Sequence, residues 1–126
     1  MRAVVVGASG YAQTIRVGHH ELTADEPVAL KGTDTGPPPY GLLLAALGAC
    51  TSITLRMYAE RKGWELGRVE IDLRFVQEGD AQHIEREISF GAALDESQRA
   101  KLLEIGEKTP VTKTIRAGTR IETRLR

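Results

Sequence analysis

Apolar and polar residues alternate along two segments in the second half of the chain, and this period of two predicts two strands with one solvated face each. In the first segment, the apolar positions are Val69, Ile71, Leu73 and Phe75. In the second segment, one face carries Ile84, Arg86, Ile88 and Phe90. Arg86 is thus a charged residue on an otherwise apolar face, and we expect it to need a partner.

Three shorter stretches rich in strand-forming residues predict three antiparallel strands in the N-terminal third: Ala3–Val6, Tyr11–Val17 and His20–Ala24. Gly7 and Gly10 resemble the start of a dinucleotide-binding turn, but Gln13 stands where a third glycine is needed. Phosphate binding also needs a helix to start here, whereas the next residues alternate like a strand. A hairpin turn is therefore favoured.

A helical pattern extends from Pro39 to Lys62, with Gly63 as the stop signal. Twenty-four residues correspond to about 36 Å of helix. The first half, from Leu42 to Cys50, is apolar on every side, which predicts burial all round. A small domain has little material to surround such a helix, so we expect a second subunit to cover part of it.

The C-terminal third predicts two short helices and a strand. Asp95 and Gln98 have the spacing of a capping box, and Thr109 precedes a proline suited to the first helical turn. Residues Thr119 to Leu125 alternate again, which predicts a final strand. We interpret residues 1–126 as a single α+β domain in which an antiparallel sheet accompanies one long buried helix.

Composition excludes several classes of function. The 126 residues are 41% hydrophobic and 27% charged, with 17 basic and 17 acidic residues, so the net charge is zero. A chain without excess cations is an improbable nucleic-acid partner. The longest apolar run, from Gly41 to Cys50, is too short to span a membrane, and the N-terminus lacks the apolar region of a signal peptide. We therefore expect a cytoplasmic protein.

Cys50 is the only cysteine, so no intramolecular disulfide can form. It is expected in the middle of the long helix, where activation of the thiol requires a nearby cation or hydrogen-bond donors. On these facts alone a structural cysteine is favoured over a reactive one. The adjacent His19 and His20 would point to opposite faces of a strand, so no metal site is predicted, and no cofactor either.

The sequence resembles the OsmC/Ohr family of osmotically inducible and organic hydroperoxide resistance proteins, and the resemblance covers most of the chain. It rests on an ordered series of segments: residues 25–27, 32–37, 40–51, 57–64, 84–88, 94–99, 102–105 and 109–111. The resemblance implies a small α+β fold and an intertwined homodimer with two long central helices and sites at the subunit interface.

In the peroxidases of that family, a cysteine of the long helix attacks a hydroperoxide and then forms a disulfide with a second cysteine. Cys50 occupies the first position, but Thr109 occupies the second. The family's glutamate, ten residues before the reactive cysteine, is replaced by Tyr40 and Gly41. The family's arginine has no assignable counterpart, and for Arg86 a structural ion pair is favoured over a role at the thiol.

The resemblance supports two hypotheses. In the first, Cys50 reduces organic hydroperoxides in oxidative-stress defence by a one-cysteine cycle that an external thiol or dithiol reductant completes. The expected substrate contacts are Tyr40, Leu43, Leu47 and Thr109. In the alternative, the protein is catalytically silent and binds an apolar small molecule at the dimer interface.

Overall fold

The computed structural model describes residues 1–126, and its contacts divide the chain into two compact units, Met1–Ala45 and Ala46–Arg126. The first unit contains the strands β1 (Ala3–Val6), β2 (Gln13–Val17) and β3 (His20–Ala24) and a 3-10 turn at Val28–Leu30. The helix α1 (Pro39–Lys62) begins there and continues into the second unit. The second unit also contains β4 (Val69–Glu78), β5 (Ala81–Phe90), α2 (Glu96–Gly106) and α3 (Pro110–Ala117). The single domain over residues 1–126 stays a prediction.

The first unit is built on an antiparallel sheet with the order β1-β2-β3. Val17 pairs with His20 across a tight turn, where Gly18 has a φ of +60° that favours glycine. The three predicted strands are confirmed. Because β2 follows the Gly7–Gly10 region and no helix starts there, the dinucleotide-binding interpretation is excluded on structural grounds.

The loop between β3 and α1 is organised around the buried carboxylate of Asp25. This carboxylate accepts hydrogen bonds from the hydroxyls of Thr33 and Thr35, both at 2.7 Å, and from the backbone N–H groups of Glu26, Thr33 and Thr35. These donors, led by the Thr33 hydroxyl, hold the pKa of Asp25 far below its ordinary value. The ionised Asp25 carboxylate therefore stabilises the conformation of the loop that leads into α1.

The helix α1 has the predicted bounds and ends at Lys62, before Gly63, whose φ of +71° allows the chain to turn back. Its buried positions form one stripe at helical spacing: Leu47, Gly48, Thr51, Leu55 and Ala59. The prediction of burial all round is therefore not met within one chain. By length and composition alone α1 could also cross a membrane, a criterion that the core helices of soluble proteins meet as well.

The second unit joins β4 and β5 in a two-stranded antiparallel hairpin, which confirms the two strands that the alternating patterns predict. Glu78 pairs with Ala81 across a turn in which Gly79 adopts a φ of +60°. The hairpin approaches α1 closely at Gly48, where a Cβ atom would lie 2.8 Å from Cδ1 of Leu73. Glycine at this position therefore permits close packing of the helix against the hairpin.

Both short helices begin as predicted. The Asp95 carboxylate accepts from the Gln98 N–H, and the Gln98 side chain accepts from the Asp95 N–H, which confirms the capping box at α2. The Thr109 hydroxyl caps α3 by accepting from the Thr112 N–H. Of the two helices, α2 contributes Leu102 to a core whose fully buried members are Leu55, Ala59, Leu66 and Leu102.

The predicted final strand is wrong, because Thr119 to Leu125 form no regular secondary structure. Ile121 and Leu125 are 85% and 97% exposed. An alternating segment becomes a strand only where a neighbouring strand offers its backbone groups, and no strand of this chain pairs with the segment. The alternating pattern indicates a propensity for strand, but the segment forms no strand within the chain.

Candidate functional site

The candidate site is centred on Cys50, which lies in the middle of α1 and is half-buried. Its Sγ atom lies 4.0 Å from Oγ1 of Thr54, one turn further along the helix. No cation or backbone donor contacts the sulfur. The thiol is thus accessible, and only one weakly placed hydroxyl group of the chain lies beside it.

The residue after Cys50 belongs to a buried polar network. The Arg86 guanidinium donates to the hydroxyls of Thr51 and Thr112, both at 2.9 Å, and to the Gly106 carbonyl at 3.0 Å. Thr51 also donates to the Leu47 carbonyl at 2.7 Å. These bonds join α1, β5, α2 and α3 around one charge, so the expectation that Arg86 needs a partner is confirmed.

A second arginine stands at the edge of this network. The Glu107 carboxylate accepts from Arg116 and lies 3.7 Å from Arg86. The hydrogen bond from Arg116, helped by the charge of Arg86, holds the pKa of Glu107 below its ordinary value. Arg86 is therefore held by hydroxyl and carbonyl groups and by one carboxylate, which is the arrangement of a structural cation rather than of one aimed at the thiol.

Thr109 is completely buried at the start of α3. Its hydroxyl lies 2.7 Å from that of Thr112, and it caps the helix at the same time. Thr109 thus belongs to the far end of the Arg86 network, with its polar group occupied. Among the two threonines of this turn, Thr112 is the one that reaches a cavity.

The other predicted substrate contacts lie on α1. Leu47 is buried and lines a cavity of the second unit, whereas Leu43 and Tyr40 are 39% and 64% exposed. Ten residues of one helix separate Tyr40 from Cys50, which corresponds to about 15 Å of rise. Leu43 lies about two turns before the cysteine and Leu47 about one turn before it.

Cys50 borders an exposed apolar stripe of α1, which we call the open stripe: Ala46, Ala49, Ile53 and Met57. Ile53 and Met57 are each 59% exposed. Their spacing of three or four residues places them on one face, opposite the buried stripe. A contiguous apolar stripe of this kind is typical of an interaction surface.

Sequence reasoning missed the partners of Arg86. The signal that could be used was a cation on an apolar strand face, which predicts a partner without saying which one. Thr51 and Thr112 lie 35 and 26 residues away in sequence, and threonines occur throughout the chain. A carbonyl at a helix end, such as that of Gly106, leaves no trace in the sequence at all.

Metal ligands are not gathered in any part of the chain: no three His, Cys, Asp or Glu side chains form a group that could hold a metal ion. His19 and His20 lie together at the turn between β2 and β3, where their rings are 4.0 Å apart, so the expectation that they point to opposite faces of a strand is wrong, because His19 belongs to the turn. Both are exposed. Cys50 and the Arg86 network are therefore the chemistry-bearing groups nearest the long helix.

The family model of the OsmC-like proteins matches residues 32–124. The chain therefore belongs to the OsmC-like protein family, and the resemblance seen in its sequence is confirmed. OsmC-like proteins are soluble, which favours α1 as a packed helix over a membrane-spanning one. No curated protein matches the sequence significantly.

Solved structures share the fold at low sequence identity. A protein from Psychrobacter arcticus 273-4, named for osmotic stress induction and detoxification response, is similar with a TM-score of 0.79 and 18% identity, covering 89% of this chain and 85% of that chain. An organic hydroperoxide resistance protein OsmC from Legionella pneumophila gives a TM-score of 0.67 and 18% identity, with 91% and 88% covered.

A third structure comes from Vibrio cholerae O1 biovar eltor. It is a protein named for organic hydroperoxide resistance, with captopril bound in one of the active sites. Its TM-score is 0.66 at 17% identity, and the match covers 92% of this chain and 85% of that chain. The TM-scores of these three structures show that the chain shares their fold.

Proposed function

We propose that this OsmC-like protein is a thiol peroxidase that reduces organic hydroperoxides through Cys50 in defence against oxidative stress. The observation that carries the proposal is the position of the only cysteine: half-buried, in the middle of α1, and beside an apolar stripe. Solved structures of the same fold include proteins named for organic hydroperoxide resistance. An apolar surface beside the sulfur suits an organic peroxide better than hydrogen peroxide.

The proposed cycle uses one cysteine. The Cys50 thiolate attacks the distal oxygen of the hydroperoxide, the O–O bond breaks, and the alkoxide leaves as an alcohol after taking a proton. The resulting sulfenic acid condenses with an external thiol, which forms a mixed disulfide and releases water. A second thiol then attacks the mixed disulfide, restores Cys50 and leaves the reductant as a disulfide. A dithiol supplies both thiols in one molecule.

The external reductant is required because Thr109 occupies the position that resembles the family's second cysteine. Its buried hydroxyl maintains the cap of α3 and cannot form a disulfide. Leu43 and Leu47 are the proposed apolar contacts of the substrate, and Thr109 supports the adjacent turn. The phenol of Tyr40 lies about 15 Å along α1 from Cys50 of its own chain. Its proposed contact with the substrate therefore needs an extended substrate or the site of a second chain.

We also propose that two copies of the chain pair through the open stripe of α1. Ile53 and Met57 are each 59% exposed on the long helix, and contiguous exposed apolar residues are typical of an interaction surface. In the pair, the second α1 covers these residues and closes one side of the Cys50 site. Light scattering at micromolar concentration should give the mass of a dimer, and a stable folded monomer would refute the pairing.

Turnover of cumene hydroperoxide with dithiothreitol as the reductant tests the peroxidase proposal. The wild-type protein should consume the peroxide at least about tenfold faster than the background reaction. Cys50→Ser should reduce consumption to background, while Ser52→Ala, which removes a hydroxyl from the same helix, should leave it unchanged. Equal consumption by the wild type and Cys50→Ser would refute peroxide chemistry at this cysteine.

A second candidate function is supported by one specific observation: the donors of Arg86 are directed to Thr51, Thr112 and Gly106, and not to the sulfur. A thiol without a cation has no evident activating group within its own chain. In this alternative, the protein is catalytically silent and binds an apolar small molecule at the dimer interface. Organic extraction and mass spectrometry of the purified protein should then recover a bound apolar compound.

We propose a cytoplasmic location for either function, since a reducing compartment supplies thiol reductants and keeps a lone cysteine reduced. Fractionation of cells that produce the tagged full-length chain tests this location. Recovery with the membrane fraction would contradict it.

A further inference from the structure

A cavity of about 480 Å³ opens within the second unit, between the hairpin and the last two helices. Its apolar walls are formed by Leu47, Phe75, Ile84, Ile88, Leu103 and Ile115. The volume lies in the range of small-molecule binding sites. Cys50 does not line it, so the cavity is separate from the thiol within the chain.

The polar groups of the cavity carry one excess positive charge. Arg86 and Arg116 contribute two guanidinium groups, and Glu107 contributes one carboxylate. His83 also lines the wall, beside the Glu85 carboxylate at 3.4 Å. A monoanion would therefore neutralise the lining, whereas a cation would add to the excess charge.

Arg86 has a donor left for a ligand. Its two terminal nitrogens are used by Thr51, Thr112 and Gly106, and the group is near Glu107. Its Nε–H group has no acceptor in the protein. Every fully buried side-chain nitrogen of the chain has a hydrogen-bond partner, so Nε is not fully buried and remains accessible. The Arg86 side chain is 10% exposed, and the cavity is the space that it lines.

Arg116 offers more accessible donors at the edge of the same cavity. Its side chain is 60% exposed, and it binds the Glu107 carboxylate and the Glu107 carbonyl. Because this pair is solvated, a ligand carboxylate can share or replace Glu107 at a small cost in free energy. The walls beyond the two arginines are apolar, so the rest of the ligand should be apolar too.

We propose that this cavity binds an amphipathic monoanion, a small molecule with an apolar body and one carboxylate. The carboxylate accepts from Arg116 and from the free Nε–H of Arg86. The apolar body packs against Ile84, Leu103 and Ile115. The proposal does not rest on the peroxidase chemistry, because Cys50 does not line the cavity; Leu47, a proposed contact of the peroxide, is the one residue that the two sites share.

Calorimetric titration of the full-length protein with octanoate, 1-octanol and octylamine tests the proposal. The three probes share an eight-carbon chain and differ in charge. Octanoate should bind once per chain and about tenfold more tightly than 1-octanol, because a charge-assisted hydrogen bond in a partly buried site contributes about this factor. Octylamine should bind no better than 1-octanol.

Matched variants separate the cavity from general charge effects. Arg116→Gln should weaken octanoate binding about tenfold and change 1-octanol binding by less than twofold. Arg120→Gln removes the same charge from the exposed C-terminal segment, outside the cavity, and should leave both affinities unchanged. Leu103→Glu places a carboxylate at the 60% exposed edge of the cavity and should abolish octanoate binding without loss of the fold.

Cys50→Ser should bind octanoate as the wild type does, which distinguishes this site from the peroxidase site. Equal affinities for octanoate and 1-octanol would overturn the proposal, as would equal losses in Arg116→Gln and Arg120→Gln. Absence of octanoate binding would overturn it too, including the case in which a second copy of the chain covers the cavity.

Discussion

The two faces of α1 are similar in composition and differ in what covers them. The buried stripe packs against the hairpin and α2, and Thr51 joins it to the Arg86 network. The open stripe, with Ile53 and Met57, has no comparable cover within the chain. The helix, whose first half is apolar on all sides, therefore has one face that the chain itself covers and one face that it leaves exposed.

Cys50 lies at the border between the buried face and the open stripe of α1. On one side, the fold fixes the neighbouring Thr51 through Arg86. On the other side, Cys50 meets the open stripe, where a substrate or a second chain can approach. We infer that the buried face determines stability and that the open face determines reactivity.

The largest expected effect on stability comes from the centre of the buried face. Leu55 is completely buried in the core. Leu55→Ala should lower the free energy of unfolding by about 2–5 kcal/mol, because it removes packed methyl groups and leaves a cavity. Urea unfolding followed by the fluorescence of Trp64 measures this change. A loss below about 0.5 kcal/mol, which is typical of a solvated position, would contradict the assignment of Leu55 to the buried face of α1.

Removal of the buried charge should have the next largest effect. Arg86→Met keeps much of the side-chain volume but leaves the Thr51 and Thr112 hydroxyls and the Gly106 carbonyl without their donor. We expect a loss of about 2–4 kcal/mol in the free energy of unfolding. Arg86→Lys should recover only part of it, since one ammonium cannot reproduce the planar arrangement of donors. Full stability of Arg86→Met would show that the network is dispensable.

Much of this architecture could be predicted from local sequence signals. The bounds of α1 follow from Pro39 in its first turn and from Gly63, and the strands β4 and β5 follow from a period of two. The caps at Asp95 and Thr109 follow from a spacing of three residues and from the proline after Thr109. The final strand could not be judged in this way, because Thr119 to Leu125 show the pattern without a pairing edge. Local propensity indicates which secondary structure a segment can form, and the presence of a pairing strand determines whether a strand forms.

Only part of the candidate site could be predicted, because some of its contacts depend on residues distant in the sequence. Cys50 could be placed on the long helix from sequence, and the need of Arg86 for a partner followed from its strand face. The partners themselves lie 20–35 residues away and include a backbone carbonyl. Such contacts depend on tertiary packing, so no local pattern reveals them.

On the open face, the effect of a substitution should depend on protein concentration. Ile53→Ala should cost less than about 1 kcal/mol at concentrations where single chains dominate, because Ile53 is mostly solvated there. Where pairs form, the cost should grow, since the substitution removes apolar surface from the interface. Unfolding midpoints across a hundredfold range of concentration test this. Concentration-independent losses for both Ile53→Ala and Leu55→Ala would contradict the proposed pairing.

The smallest effect concerns the edge of the Arg86 network and appears as a pH dependence. Because the pKa of Glu107 is lowered from 4.5 in the folded protein, its ion pairs stabilise the fold above that pH. This stability should disappear as pH falls below 4.5, when the carboxylate is protonated. The wild type should exceed Glu107→Gln by less than about 1 kcal/mol at pH 7, since the pair is solvated.

Thermal unfolding of both proteins from pH 7 to pH 3 measures this difference. The two unfolding curves should converge toward pH 3. A difference that widens in acid would contradict the sign of the pKa change.

Single-turnover oxidation of Cys50 tests the central claim most directly. The reduced protein is mixed with cumene hydroperoxide or hydrogen peroxide, quenched at intervals with a sulfenic-acid trap, and analysed by intact mass. The account predicts fast formation of a trappable sulfenic acid, with the organic peroxide reacting faster than hydrogen peroxide. Oxidation of Cys50 no faster than that of a free thiol, with no preference between the peroxides, would contradict it.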